Sequence, residues 1–418
     1  MWVGRDGIFS LSARIGFHFL LILAYNLGLM HRNFETRRAP ARVFSGRIAI
    51  LLLLLLFFPA ECLAFDYNFE GRFRVASRFI PESPKGFDNQ DSFVELRLGV
   101  DGNVLRREEW SLDYEILTDG LYFRGPGVEA GFQEELKADF FRAWARLEKG
   151  KWRFRGGRQQ ILFGAGALFR PLGFFDARVI SGVLPQTRGV DGARFTYFID
   201  ETTTVQGWTI PAKFGDRLIA GWRWEGLIAG LETGLVFQYH PRTDLETLPN
   251  FNLEAFQLGY HLKGEYEVGY WSEGRLDIEK NIGGRSLRFE GVFGVDYTFD
   301  LGEGLHVLAE YLLSTRQKSF IPSVLGGGQT IHQFGFLLDQ PVGIATVWKL
   351  FGFYDVLDGS FQLVPLVEYA ITDQTFIYFQ GNWGGNVKGN EDVGRLFQKG
   401  PVFTGSESSL GLSLVFYL

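Results

Sequence analysis

Nine arginines fall between residues 142 and 194: Arg142, Arg146, Arg153, Arg155, Arg158, Arg170, Arg178, Arg188 and Arg194. A guanidinium stays charged at neutral pH and offers a rigid fork of donors to carboxylate or phosphate. Several on one wall of a wet cavity would create a positive field that attracts anions and orients polar solutes. The plainer role is neutralisation of inward-facing Asp and Glu, because charges shielded from bulk water are normally paired. Arg142, Arg146, Arg158, Arg170, Arg178, Arg188 and Arg194 are the candidates for a pore constriction, with Asp176 and Asp191 as the carboxylates that hold it.

Other chemistries find less support. His240, His261, His306 and His332 are too widely spaced to suggest a metal site. A hydrolase would need a Ser/His arrangement, and no serine stands at a characteristic spacing from His332. Gly326, Gly327 and Gly328 fit neither a preceding strand nor a following helix, so they do not read as a phosphate cradle. No enzyme activity and no cofactor are expected from these residues. The lone cysteine, Cys62, falls in a segment expected to be removed, which leaves no disulfide or thiolate site. A net charge of −6 argues against nucleic acid as a partner.

The elements that would position the arginines repeat with period two. Phe69, Phe73, Val75 and Phe79 alternate with Glu70, Arg72, Arg74 and Arg78. Val94, Leu96, Leu98 and Val100 alternate with Glu95, Arg97 and Asp101, and Leu287, Phe289, Phe293, Val295 and Tyr297 oppose Arg288, Glu290 and Asp296. Strands of this length, apolar on one face and charged on the other, suit a tilted membrane crossing. The last segment alternates up to the chain end, with Leu410, Leu412, Leu414, Phe416 and Leu418 on one face. Such a strand would close the sheet on the first one and engage the barrel-assembly machinery; closure removes the exposed edge.

Seventeen candidate strands can be placed at 67–79, 92–101, 109–117, 138–148, 151–159, 191–199, 202–210, 217–225, 227–239, 254–263, 264–275, 286–300, 304–315, 344–357, 360–371, 374–384 and 407–418. Single-chain bacterial barrels have even counts, so the expectation is an all-β, transmembrane, antiparallel up-and-down β-barrel of about 16 strands, with 18 as the alternative. Ile80–Asp91, Asp119–Glu135, Ser314–Gln333 and Gly385–Ser406 read as extracellular loops. Trp208, Trp222, Trp224, Trp271, Trp348 and Trp383 read as interfacial girdle residues rather than sugar-stacking platforms.

Residues 1–64 read as an N-terminal extension and signal peptide, with the barrel spanning 65–418. The apolar run Ile48–Phe58 follows Arg37, Arg38, Arg42 and Arg47 and precedes the small-residue exit Cys62-Leu63-Ala64. Met30 marks an alternative start of translation.

One segment, Ile161 to Asp191, does not alternate. It is long, and its Phe, Leu and Gly content calls for packing, so it is expected to fold into the lumen and narrow it. Its surroundings, Arg155-Gly156-Gly157-Arg158-Gln159-Gln160, Phe163-Gly164, Arg170-Pro171, Phe174-Phe175-Asp176 and Arg188-Gly189-Val190-Asp191-Gly192-Ala193-Arg194, resemble the alginate-export-type outer-membrane porins. The Leu357-Asp358-Gly359-Ser360 turn is similar too. The resemblance implies a single-chain outer-membrane barrel passing small hydrophilic solutes, with anions and saccharides as candidates. The rival expectations are a non-conducting structural barrel, such as a sheath around a periplasmic electron-transfer cytochrome, and a barrel enzyme. Outer-membrane lipid is the expected surrounding; the oligomeric state is not legible.

Overall fold

The computed structural model describes residues 66–80, 90–107, 109–126, 132–176, 181–212, 217–242, 253–281, 284–315, 330–357, 359–386 and 408–418. The expected signal peptide, Met30, Phe65 and Arg178 lie outside them.

Among the described residues, eighteen strands form one sheet. The first six are β1 (Asp66–Phe79), β2 (Gln90–Arg107), β3 (Trp110–Pro126), β4 (Phe132–Lys149), β5 (Trp152–Gln159) and β6 (Val190–Phe198). Next come β7 (Thr204–Pro211), β8 (Leu218–Ile228), β9 (Leu231–Arg242), β10 (Leu253–Glu265), β11 (Gly269–Asn281) and β12 (Gly284–Phe299). The last six are β13 (Leu305–Ser314), β14 (Ile331–Val342), β15 (Thr346–Asp355), β16 (Ser360–Thr372), β17 (Thr375–Asn386) and β18 (Ser409–Tyr417). Each strand pairs antiparallel with its chain neighbours, and β18 pairs with β1, so the sheet closes into an up-and-down barrel. Arg72 lies opposite Tyr417, and the Leu418 amide donates to the Gly71 carbonyl at 2.8 Å. The terminal strand seals the edge, as its alternation suggested.

Polarity is inverted relative to a water-soluble fold. On β10, Phe256, Leu258, Tyr260 and Leu262 are exposed, whereas Ala255, Gln257 and His261 are buried. On β18, Leu410, Leu412, Leu414, Phe416 and Leu418 are exposed, and Ser409, Ser413 and Val415 are buried. An apolar outer belt around a polar interior is the arrangement a bilayer demands, because closed strands leave no backbone group unpaired toward lipid. Among the described residues no helix is long and apolar enough to cross a membrane.

Several sequence expectations need correction. The strand count is eighteen, the stated alternative to the favoured sixteen, and the one strand not placed is β14. Asp119–Glu135 is mostly strand, since β3 runs to Pro126 and β4 begins at Phe132. The pair expected at 254–263 and 264–275 instead turns at Tyr266–Val268. Trp208 and Trp271 are buried inside the barrel rather than in an outer girdle, whereas Trp222 and Trp383 are exposed.

The two ends differ. Connections such as 150–151, 229–230 and 343–345 are short, and those after β5 and β17 are long. In the short 199–203 turn, Asp200 accepts the Thr202 and Thr203 amides at 2.9 and 2.8 Å. The Thr202 amide, with help from Thr203, holds the Asp200 carboxyl below the usual range.

Candidate functional site

The loop between β5 and β6 enters the barrel from the long-loop end. Its first limb, residues 160–176, lies along the inner wall. Ile161, Phe163 and Leu172 pack on Trp208, Ile210, Ile219 and Val236, which belong to β7, β8 and β9. Leu168 packs on Trp271, Leu308, Phe351 and Val364, reaching β16. The second limb, 181–189, covers the rest. Val183 packs on Leu366, Tyr378 and Val415, and Gln380 donates to the Ser181 carbonyl at 2.7 Å. Gln186 accepts from Arg72 at 3.1 Å and from Arg97, bringing the limb to β1 and β2. The Gly189 amide then donates to the Phe141 carbonyl at 3.1 Å. Phe141 is the extra residue of a bulge between Leu117 and Thr118 on β3, so its carbonyl is free of the ladder and receives the returning loop. Together the two limbs touch wall all round the barrel.

Two wall carboxylates dock the first limb by its backbone. Glu273 of β11 accepts the Gly166 amide at 2.8 Å and the Leu172 amide at 2.5 Å. Glu310 of β13 accepts Ala167 at 2.7 Å, Leu168 at 2.9 Å and Phe169 at 2.7 Å, and also Trp271 Nε1 at 2.8 Å. Charge-assisted bonds of this kind are roughly twice as strong as neutral ones. Arg275 adds a 2.8 Å bond to the Pro171 carbonyl while pairing with Asp277. Gly164, at φ +87°, and Gly166 allow this approach, because a Cβ on Gly164 would overlap the Glu273 carboxylate.

The candidate arginines separate into two groups by partner. Arg142 pairs with Glu115 at 3.3 Å and donates to Gln160 at 2.8 Å, fixing the loop root. Arg146 pairs with Asp113 at 2.8 Å and Glu148 at 3.2 Å. Arg158 bridges Asp139 and Asp191, each at 2.8 Å, and by register Arg158 and Asp191 lie on the strand face opposite Arg155 and Arg194. Arg170 pairs with Asp176 at 2.6 Å, and Asp176 also accepts from Thr187, joining the two limbs. Arg188 reaches Asp139 at 3.7 Å and is exposed.

Arg155 and Arg194 differ. They face the lumen, directly opposite each other in the β5–β6 register, with Arg146 next in the row. Neither has a carboxylate within 4.0 Å among the described residues; Arg155 instead stacks over Trp144 at 4.1 Å. Arg223 of β8 is tied to Glu225 at 2.8 Å and lies over Phe163, linking this wall to the loop. The row stands about 10 Å from the short-turn end, three to four strand residues in.

Sequence analysis missed Arg72, Arg97, Glu273, Arg275, Glu310 and Gln186 as loop contacts. Their signal is only that of inward, charged strand positions, and the loop partners lie 101 to 143 residues away for Glu273 and Glu310. The glycines at 164 and 166 were the local hint of a close approach.

No family model matches the chain, and no curated protein matches it. Solved structures do. It is similar to OccK5 (OpdH) of Pseudomonas aeruginosa, at TM-score 0.51 and 9% identity, over 85% of this chain and 98% of that one. Similarity extends to OmpT of Vibrio cholerae (0.47, 12%, 85% and 100%) and Salmonella typhi OmpF in complex with daunomycin (0.46, 9%, 84% and 97%). Closure, inverted polarity and the OccK5 likeness agree on one architecture: the chain folds as a closed, porin-like antiparallel β-barrel of eighteen strands among the described residues.

Proposed function

We propose that the chain is an outer-membrane diffusion channel for small hydrophilic solutes that favours anions among them. The observation that carries this is the Arg155–Arg194 pair, two lumenal guanidiniums side by side with no carboxylate within 4.0 Å among the described residues. The neighbouring Arg142, Arg146, Arg153, Arg158 and Arg223 are each ion-paired, so positive potential is left for a passing solute at this row. The alginate-export-type resemblance of residues 155–194 extends the solute class to acidic saccharides. Export by a signal peptide in 1–64 and insertion through β18 belong to the same proposal.

The test is single-channel recording of the refolded chain from residue 65 in a planar bilayer under a salt gradient. Conductance steps with an anion-selective reversal potential are expected, and Arg155→Gln with Arg194→Gln should move that potential toward the cation side. Silence from folded, heat-modifiable protein would discard the channel in favour of a sheath around a periplasmic partner.

A further inference from the structure

We propose that the first limb of the lumenal loop is an acid-releasable strap, held open by Glu273 and Glu310 and closing the lumen when they are protonated. Five consecutive-region amides, from Gly166, Ala167, Leu168, Phe169 and Leu172, end on just two carboxylates. A carboxylate accepts through both oxygens, whereas a protonated carboxyl turns one of them into a donor. Protonation therefore weakens every one of these bonds and sets a new O–H against backbone N–H groups. Beyond these, the limb's polar ties are the Arg275 bond to the Pro171 carbonyl, the bonds of Arg142 to Gln160 and of Arg223 to the Leu162 carbonyl near its root, and the Arg170–Asp176 pair. Docked, the limb lies flat on the wall. With its root held by Arg142 at Gln160 and its far end by Thr187 at Asp176, a released limb bows into the lumen and narrows it.

Other charged groups face these carboxylates from each packed element. The loop brings Arg170, and β11 brings Arg275 bound to Asp277. From β10, buried His261 stands directly opposite Glu273 with its Nδ1 unpartnered, and Lys263 opposite Trp271. From β12, Glu290 lies opposite Arg275, and Asp296 is bound to His306 of β13, which also meets Asp339 of β14. The two histidines are the competing titrants, and the test separates them.

The docking needs no conduction, and only its effect on current rests on the channel proposal. The experiment compares hydrogen exchange of the Gly166–Leu172 amides in the full folded chain at about pH 7 and about pH 3, corrected for intrinsic rates, a range spanning ordinary carboxylate titration. Protection of these amides should fall at least about tenfold, the scale of a lost hydrogen bond to a charged group, while β10–β13 stay protected. The Glu273→Gln, Glu310→Gln double variant should show the released loop already at about pH 7, and bilayer current of the wild type should drop over the same range while that of the variant stays low. Equal loop protection at both pH values overturns the proposal, and being a wild-type measurement it does not depend on the variant folding. A full transition surviving in the double variant also overturns it and assigns the titration to His261 or His306. Absence of current at every pH would refute the channel while leaving the strap to be decided by exchange.

Discussion

Arg155 and Arg194 stand directly across from each other in the β5–β6 ladder, and Arg146 extends the row from β4. Like charges in directly opposed positions destabilise a sheet, by roughly 0.2–1 kcal/mol per pair. A side chain kept only for stability would not be arginine at both positions. Arg194→Gln is therefore expected to raise the unfolding free energy slightly, within about 1 kcal/mol, while reducing anion preference in the salt-gradient recording. Equilibrium unfolding from vesicles checks the first half. A clear loss of stability would mean that Arg194 holds the wall together, and the row would lose its claim as a solute site.

Gly164 carries a second prediction, because two constraints meet there. Its φ of +87° excludes most side chains, and its Cβ position is already occupied by the Glu273 carboxylate. Gly164→Val is expected to lift the first limb off the wall and make 160–176 sensitive to limited proteolysis, with the barrel still heat-modifiable. Backbone strain of this kind is of order 1–3 kcal/mol. Gly150→Val is the matched control: φ is +51°, yet nothing lies within 4 Å of its Cβ position. That variant should bear strain without loosening the loop.

The barrel was legible from period-two alternation because each strand meets lipid on one side and water or loop on the other. Where that contrast weakens, legibility fails. On β14, Leu337 sits at an inward position beside Gly335, so the alternation of Phe334, Phe336 and Leu338 is diluted, and Pro341 suggests an ending. The extensions of β3 and β4 carry charges at both parities and read as loop. For the site, Arg146 and Arg194 could be read from chain proximity to the loop, whereas Glu273 and Glu310 reach it only through closure of the barrel. Trp208 and Trp271 share parity with inward Gln206 and Glu273, a signal available in the sequence but outweighed by the general preference of tryptophan for interfaces.

A polar chain behind the loop predicts a stability cost of a different origin. Trp208 Nε1 donates to Gln238 at 3.0 Å, Gln238 to Gln257 at 2.7 Å, and Gln257 to Asp277 at 3.2 Å. Gln238 is fully buried. Gln238→Leu would leave a buried donor on Trp208 and a buried acceptor on Gln257 unmatched, each costing about 1–3 kcal/mol. Thermal unfolding of Gln238→Leu beside Gln238→Glu separates a lost bond from lost volume: glutamate keeps the acceptor for Trp208 and should lose less of it. Similar losses for both would deny the chain a directional role.

The outer belt makes the sharpest test of the surroundings assigned to this barrel. Leu414 lies in the middle of β18, while Leu418 follows its last residue, and both belong to the same exposed row. An arginine on the lipid face costs about 2–4 kcal/mol at the bilayer midplane and about 0–1 near the interface. Leu414→Arg should therefore destabilise strongly in guanidinium unfolding from vesicles, and Leu418→Arg weakly, although both replace a leucine by the same side chain. The gradient arises because the mid-strand guanidinium cannot reach the headgroups, whereas the terminal one can extend to them. A soluble sheet would give two small and similar effects, since exposed arginine meets water at either place. Equal penalties at the two positions would thus remove the bilayer from the account of this fold, whatever the pore conducts.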